Sequence, residues 1–278
     1  MHEYCYLNGK IIPSDDATLH ISDGGILRGY GIFDFMGIHD GEIFLFDEHW
    51  NRFQNSAKKL NLRIPLSKDE FRRQVGLLLR KNKMKDCSLR AVLNAGRIDG
   101  LIFNPETPTF FIFLQGDISP KKEAYEKGVK LMTAEHLRLF PEAKTSNYIF
   151  PVLLQGKKKK AGAYEILYTW EGNVLEASTC NFCIFKGDTL ITPQKNILQG
   201  ITRYATLKLA RDTFEVEERE LSLEEVLSEA TEAFITSTGR RIVPVTRIDA
   251  HTIGDGVVGE NTKEMMSRFK GLVERGGW

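Results

Sequence analysis

The sequence predicts a two-domain protein of mixed α and β structure, α/β or α+β in class. Three observations carry that expectation. The chain has 278 residues, which is longer than a typical single domain. Strand-like and helix-like patterns occur in both halves. The stretch from Gln115 to Lys122, with Gly116 and Pro120, interrupts both patterns. The expected division is residues 1–118 as a first domain, 119–127 as a linker and 128–278 as a second domain.

In the first half, strands are expected at residues 4–7 and 42–46. Asp47 has the chemistry of a helix N-cap, and Trp50, Phe53, Ala57 and Leu60 follow at helical spacing. Ser67 with Glu70 forms a capping-box pattern ahead of Phe71, Val75, Leu78 and Leu79. Further strands are expected at 89–94 and 108–114. The second half is richer in strands, at 129–133, 165–170, 181–185, 216–219 and 233–236. Glu171-Gly172-Asn173 suits a hairpin turn. Helices are expected to begin at Thr202, at Ser222 (paired with Glu225 in a second capping box) and at Asn261. The four lysines from Lys157 to Lys160 read as the solvated end of a helix starting near Tyr148.

Hydrophobic residues make up 42% of the chain, enough for a buried core. The net charge of +1 argues against nucleic acid or an acidic membrane surface as a general partner. The first ten residues lack a signal-like apolar core, and no apolar run approaches a membrane span. A cytoplasmic protein is expected. Cys180 and Cys183 lack the second pair or strand-to-helix context of a zinc or redox site, so these two are expected to be reduced and structural, and no metal is expected.

Four stretches of the second half bear on chemistry. In the first, Lys144 is a single lysine between Phe140-Pro141 and Tyr148-Ile149-Phe150. A nucleophilic lysine needs such partial desolvation so that its amine can be neutral; a surface lysine in a loop is the alternative. In the second, Glu176 stands among small and apolar residues up to Asn181. It is either an acid facing a protonated ring nitrogen or an exposed strand acid beside a turn. The third, Gly200-Ile201-Thr202-Arg203, offers helix-start N–H groups and a hydroxyl to a phosphate, or is ordinary capping. In the fourth, a strand ends in Thr236-Ser237-Thr238-Gly239, a hydroxyl cluster suited to phosphate, or a polar turn.

The order and spacing of these stretches resemble the fold-type IV pyridoxal phosphate enzymes, which include branched-chain aminotransferases, D-amino acid transaminases and aminodeoxychorismate lyases. The first half resembles them too, in Gly29-Tyr30-Gly31-Ile32-Phe33-Asp34 and in the run from Phe46 through Arg52 to Ala57. The resemblance implies a smaller N-terminal α/β domain and a larger, strand-rich C-terminal pseudo-barrel that binds pyridoxal 5'-phosphate. It implies that Lys144 holds the cofactor as a Schiff base and shuttles the substrate proton, with Glu176 paired to the ring nitrogen. Arg52, Ile201, Thr202, Ser237 and Thr238 would bind the phosphate, Tyr148 would lie near the ring hydroxyl, and Asn181 would support the pyridine side. A homodimer is implied, with the partner subunit completing a site between the domains.

The substrate positions depart from the branched-chain pattern. Arg28 stands where those enzymes tend to have an aromatic residue, and Arg90 lies in the strand 89–94. Two arginines on one site would hold an α-carboxylate by charge-assisted bonds. Leu27-Arg28-Gly29-Tyr30-Gly31-Ile32-Phe33-Asp34 resembles a less usual subgroup of D-amino acid transaminases, in which such arginines bind the substrate carboxylate. Gly239 and Arg240 stand where many relatives have small residues whose backbone receives the carboxylate; Arg240 would suit a dicarboxylate or face solvent. Phe33 and Phe35 line the side-chain pocket or pack the first domain. The expected activity is amino transfer between an amino acid, of the D series such as D-glutamate or D-alanine, and a 2-oxo acid. A branched-chain L-transaminase and an aminodeoxychorismate lyase are the alternatives.

Overall fold

A computed structural model describes residues 3–116 and 119–276. Two compact units emerge: residues 1–118 with 143–147, and residues 119–142 with 148–278.

The first unit is built on an antiparallel sheet. Its elements are β1 (Tyr4–Leu7), β2 (Lys10–Pro13), α1 (Gly24–Arg28), β3 (Gly31–His39), β4 (Glu42–Ile43), α2 (Phe46–Lys59), α3 (Lys68–Asn82), β5 (Cys87–Asn94), a small hairpin of β6 (Ile98–Asp99) and β7 (Ile102–Phe103), and β8 (Thr109–Gln115). The sheet order is β2-β1-β8-β5-β3-β4. Alternation puts Ile32, Asp34 and Met36 of β3 on one face and Phe33 and Phe35 on the other. The first face joins Leu89, Ala91 and Leu93 of β5 in a core closed by Phe53 of α2 and by Phe71, Val75 and Leu78 of α3. Each such aromatic or leucine is worth about 1.5–3 kcal/mol of burial. Because β3 is buried along nearly its whole length, it shows no polar alternation and does not announce itself as a strand.

Two local expectations are corrected here. Asp47 is not the cap of α2: the cap position is Leu45, at φ 46°, and Asp47 lies in the first turn paired with Lys68 at 2.9 Å. Phe46 is buried against Phe71, which draws the helix start forward, and only residues 42–43 of the expected strand pair with β3. Ser67 does cap α3, accepting from the Glu70 N–H at 3.2 Å.

The second unit contains α4 (Lys122–Lys127), β9 (Val129–Glu135), α5 (Ile149–Leu153), α6 (Gln155–Lys160), β10 (Glu165–Trp170), β11 (Asn173–Ala177), β12 (Asn181–Lys186), β13 (Thr189–Pro193), α7 (Ile201–Ala210), β14 (Glu215–Arg219), α8 (Leu223–Glu229), β15 (Glu232–Ser237), β16 (Arg241–Ile248), β17 (His251–Thr252) and α9 (Glu260–Arg275). Its mixed sheet runs β11-β10-β9-β16-β15-β12-β13-β14, with β17 on β16. The sheet rolls towards closure: beyond β14, Leu221 O accepts from the Val174 N–H of β11 at 2.8 Å, and Ser222 bridges Asn173. This is the pseudo-barrel. Glu171 and Gly172, both at positive φ, turn β10 into β11. Ser222 caps α8 through the Glu225 N–H at 3.0 Å. The helix expected to run from Tyr148 into the lysines is two short helices instead. They meet at Leu154, which turns into a cluster with Ile166 and Tyr168. Among the described residues, no helix is long and apolar enough to cross a membrane.

Candidate active site

Lys144 belongs to the first unit. Its peptide is bonded to β3 and α2: Lys144 O accepts from the Phe33 N–H at 2.9 Å, and the Lys144 N–H donates to Ser56 Oγ at 3.1 Å. Thr145 bridges Ile32, and the Ser146 N–H donates to Gly31 O at 2.9 Å. The lysine is therefore held at the start of the strand that carries Phe33. Its Nζ stands 4.6 Å from the centre of the Phe33 ring. Arg90 reaches the same ring from β5, where it lies opposite Phe35. Its Cζ is 4.6 Å from the Phe33 centre and 5.5 Å from that of Phe35. Cations over aromatic faces are attracted by the ring quadrupole. Lys144, Arg90 and Phe33 thus come together.

On the opposite face of β3, Asp34 is fully buried between two residues of α2. Arg52 donates to it from Nε at 2.9 Å and Nη2 at 2.7 Å, and His49 Nδ1 lies 2.7 Å away. Burial works to raise the Asp34 carboxyl, but the charges and bonds of Arg52 and His49 outweigh it and hold it well below the carboxylate range. Burial lowers the His49 imidazole, and Arg52 and Lys144 add to this against the pull of Asp34. At 2.7 Å from a carboxylate oxygen, His49 Nδ1 donates to Asp34, and its buried Nε2 finds no partner among the described residues. Arg52 is fixed by Asp34. Arg28 ends α1, exposed, with its guanidinium donating to Leu27 O at 2.9 Å.

In the second unit, Glu176 is buried on β11 rather than exposed. Arg138 donates to its Oε1 at 2.9 and 2.7 Å. Its Oε2 accepts from the Leu198 N–H at 3.1 Å and from Asn181 Nδ2 at 3.3 Å. Asn181 also donates to Leu198 O at 2.8 Å. Glu176 and Asn181 thereby anchor the loop that leads through Gly200 into α7. A Cβ at Gly200 would run into Asn181 Oδ1, so only glycine lets the two meet. Ile201 and Thr202 open α7 and are buried. Arg203 of the same motif is structural: buried, it donates to Thr192 Oγ1, Pro193 O and Glu218.

Asn181 lies directly across from Thr236, whose buried hydroxyl has no partner among the described residues. Ser237 ends β15, and the Arg240 N–H closes a turn over Thr238 and Gly239 onto Ser237 O at 3.2 Å. Arg240 does not simply face solvent. It is paired at 2.9 Å with Glu165, a carboxylate only 3% exposed. Tyr148 occupies the N-cap position of α5, half-buried.

A model of the class IV aminotransferases matches residues 31–248, most of the chain. The chain belongs to the class IV aminotransferases. A Methanocaldococcus jannaschii protein named a branched-chain-amino-acid aminotransferase is 36% identical over 98% of this chain and 97% of its own. The D-alanine aminotransferase of Bacillus licheniformis is 29% identical over 96% of this chain and 95% of its own. The solved branched-chain amino acid aminotransferase of Escherichia coli superposes with a TM-score of 0.91 at 27% identity, over 98% of this chain and 95% of that one. As a class IV aminotransferase, this chain holds four ionisable side chains that local sequence pattern does not single out: Asp34, His49 and Glu165 are buried and Arg138 is half-buried. Asp34 closes the stretch Gly29 to Asp34, and His49, three residues before Arg52, is the sequence signal for a polar partner. Arg138 and Glu165 lie far from their partners in sequence, and no spacing connects them.

Proposed function

We propose that this aminotransferase carries pyridoxal 5'-phosphate on Lys144 and works preferentially on D-amino acids and 2-oxo acids, as a cytoplasmic homodimer. The observation that carries the substrate reading is Arg90 on the Phe33 ring that also receives Lys144. It supplies a cation for the substrate α-carboxylate beside the reacting amine, and Arg28 supplies a second, exposed one.

The residues fit the cofactor by their own chemistry. Glu176 offers a ring N–H a buried carboxylate, already oriented by Arg138, Asn181 and Leu198. The start of α7 at Ile201 and Thr202 and the hydroxyls of Ser237 and Thr238 fit a phosphate dianion, and the unpartnered Thr236 hydroxyl lies in the same strand. Arg52, fixed by Asp34, adds a guanidinium for the phosphate. Tyr148 serves the ring hydroxyl. When bound, the cofactor supplies a ring that withdraws electrons from the substrate α-carbon. Lys144 Nζ takes the α-proton and returns it, and the Phe33 ring shields that amine from water. Glu176 keeps the ring nitrogen protonated. Gly239, in the turn after Thr238, would receive the substrate through its backbone groups.

The dimer reading is supported by an apolar patch. Ile21, Leu101 and Ile102 are 83%, 84% and 77% exposed, on segments joined by the Ile98 N–H to Ser22 O bond. Four buried free thiols support a reducing compartment.

The test is the visible spectrum of the protein purified with pyridoxal phosphate, before and after D-glutamate, D-alanine, L-leucine or L-glutamate. A yellow band that bleaches fastest with a D-amino acid is expected. Bleaching fastest with L-leucine would select the branched-chain reading, which the 36% identical relative favours by its name. Absence of the band would remove Lys144 from its role.

A further inference from the structure

Four strands stand between β11 and β12 in the sheet, yet residues 178–180 alone join them. The rolled sheet brings the two strands together, and this short strap crosses between them, with Glu176 before it and Asn181 after it. The strap is pinned by a closed ring of three side chains. Thr179 Oγ1 donates to Glu165 Oε2 at 2.6 Å and accepts from Arg240 Nη1 at 3.0 Å. Arg240 Nη1 donates to that same Glu165 oxygen at 2.9 Å, which closes the ring. Glu165 Oε1 accepts from Ser178 Oγ at 2.5 Å and from the Ile166 N–H at 2.9 Å. Burial works to raise the Glu165 carboxyl, but the bonds of Ser178 and Thr179 and the Arg240 charge outweigh it and hold it below its ordinary value. Both oxygens of this buried carboxylate are satisfied, so it is a rigid anchor.

The other side of the ring belongs to the turn between β15 and β16, which carries Ser237 and Thr238. Arg240 is fixed in that turn by its own peptide: its N–H donates to Ser237 O at 3.2 Å, and its O accepts from the Tyr125 hydroxyl at 2.9 Å. Its guanidinium lies over the Tyr164 ring, with Cζ 5.3 Å from the centre. A second link runs through Cys180, whose Sγ is 3.4 Å from Arg240 Nη1 and which also meets the Ser237 hydroxyl. The ring therefore ties the strap between Glu176 and Asn181 to the hydroxyl turn, and every residue in it lies in the second unit. Pyridoxal phosphate is one covalent piece, with its ring nitrogen and its phosphate a set distance apart. A site that takes both ends tightly must hold its own groups at the matching separation before binding.

We propose that Glu165, Thr179 and Arg240 form a spacer that holds the Glu176 strap and the Ser237–Thr238 turn at the separation of the cofactor's ring nitrogen and phosphate. They are positioning residues that touch neither end of the cofactor. The inference rests on the cofactor reading of those two stretches and uses no residue of the first unit. With the spacer closed, binding of one end places the other, and the two ends act together. With it open, each half-site keeps its own groups but the advantage of joint binding is lost.

Wild type, Arg240→Gln, Thr179→Val and Thr179→Ser are compared as full-length proteins freed of cofactor. Thr179→Val opens the ring without leaving a buried charge unpaired, so a folding failure of Arg240→Gln does not end the experiment. Calorimetry measures binding of pyridoxal 5'-phosphate, of pyridoxal and of inorganic phosphate to each protein. Affinity for pyridoxal 5'-phosphate is expected to fall roughly 10- to 100-fold in Arg240→Gln and in Thr179→Val. Pyridoxal and inorganic phosphate, each engaging one half-site, are expected to bind as they do to the wild type. Thr179→Ser keeps the hydroxyl and should keep the wild-type affinity. Combining Arg240→Gln with Thr179→Val should cost no more than either alone, since both open the same ring. Loss of inorganic phosphate binding in Arg240→Gln would put the guanidinium on the phosphate itself and overturn the proposal. Equal losses for all three ligands would leave the ring a general structural role and overturn it too. A wild type that takes up no pyridoxal 5'-phosphate would overturn the cofactor reading and the spacer with it. Equal uptake by the wild type and both ring-opening variants would overturn the spacer alone.

Discussion

Lys144 and Arg90 meet on one aromatic ring. Each cation lies 4.6 Å from the centre of Phe33, one brought by a segment bonded to β3 and the other by the neighbouring strand β5. Phe33 therefore sets the spacing between the proposed reacting group and the proposed holder of the substrate. Replacing Phe33 with leucine keeps the bulk but removes the ring face. The expected result is a kcat/KM lower by roughly 3- to 10-fold, the worth of a partly desolvated cation–π contact, with cofactor affinity changed much less. Steady-state kinetics beside a pyridoxal phosphate titration read both.

Arg90→Ala removes a cation fixed by two rings, whereas Arg28→Ala removes an exposed one bonded to Leu27 O. Loss of a charge-assisted carboxylate bond costs about 1.5–3 kcal/mol, so each change should raise KM for every amino acid by roughly one to two orders of magnitude. Neither should weaken cofactor binding comparably. If one variant keeps wild-type kinetics, its residue has no part in substrate binding.

The Asp34–His49–Arg52 cluster makes the first unit sensitive to acid. His49 is depressed in the folded state, so its contribution is complete above the ordinary imidazole value near 6.5 and is lost as pH falls below it. Asp34 is depressed too, so its contribution is complete above about 4 and is lost at lower pH. Thermal unfolding of the wild type should show both losses in turn between pH 7 and pH 3. His49→Gln should abolish the upper one and Asp34→Asn the lower. Retention of both slopes in both variants would place the acid sensitivity elsewhere.

Arg52 has a structural duty that is separable from its proposed phosphate binding. Its removal leaves Asp34 charged and fully buried without its main counter-charge. Arg52→Ala should therefore destabilise the cofactor-free protein by roughly 3–5 kcal/mol, read by urea denaturation. Arg52→Ala together with Asp34→Asn should recover part of that stability but none of the phosphate affinity.

Gly200→Ala would drive a methyl group into Asn181 Oδ1, and Asn181 is tied to both Glu176 and Leu198. Overpacking of this kind costs about 1–3 kcal/mol. Since the displaced loop leads into α7, cofactor affinity should fall together with the melting temperature. An unchanged cofactor titration would separate the loop from the phosphate site.

Much of this architecture could be read in advance where the cause is local. Ser67 and Ser222 declare their helices because a hydroxyl at the cap answers a backbone N–H three residues on. Glu171-Gly172 declares its hairpin because both residues take positive φ. Membership of the family was legible in the motif around Lys144 and in the run from Glu176 to Asn181. What stayed hidden depends on which strand face meets which distant partner. Nothing near Glu176 in sequence points to Arg138, and nothing near Arg240 points to Glu165, 75 residues away. β3 was hidden for a different reason, since a strand covered on both faces has no alternation to display.

Residues 143–147 have a temporal consequence. Ala143 is wholly buried in the core of the first unit, and Lys144 bonds to Ser56 across 88 residues of chain. During synthesis, β3 and α2 emerge long before the segment that completes them. An N-terminal fragment that ends before residue 143 lacks the buried Ala143 and the bonds of this segment to β3 and α2, so the unit is completed only after residue 147 has been made. Non-local pairing of this kind slows folding. Lys144 is therefore among the last parts of that unit to be seated.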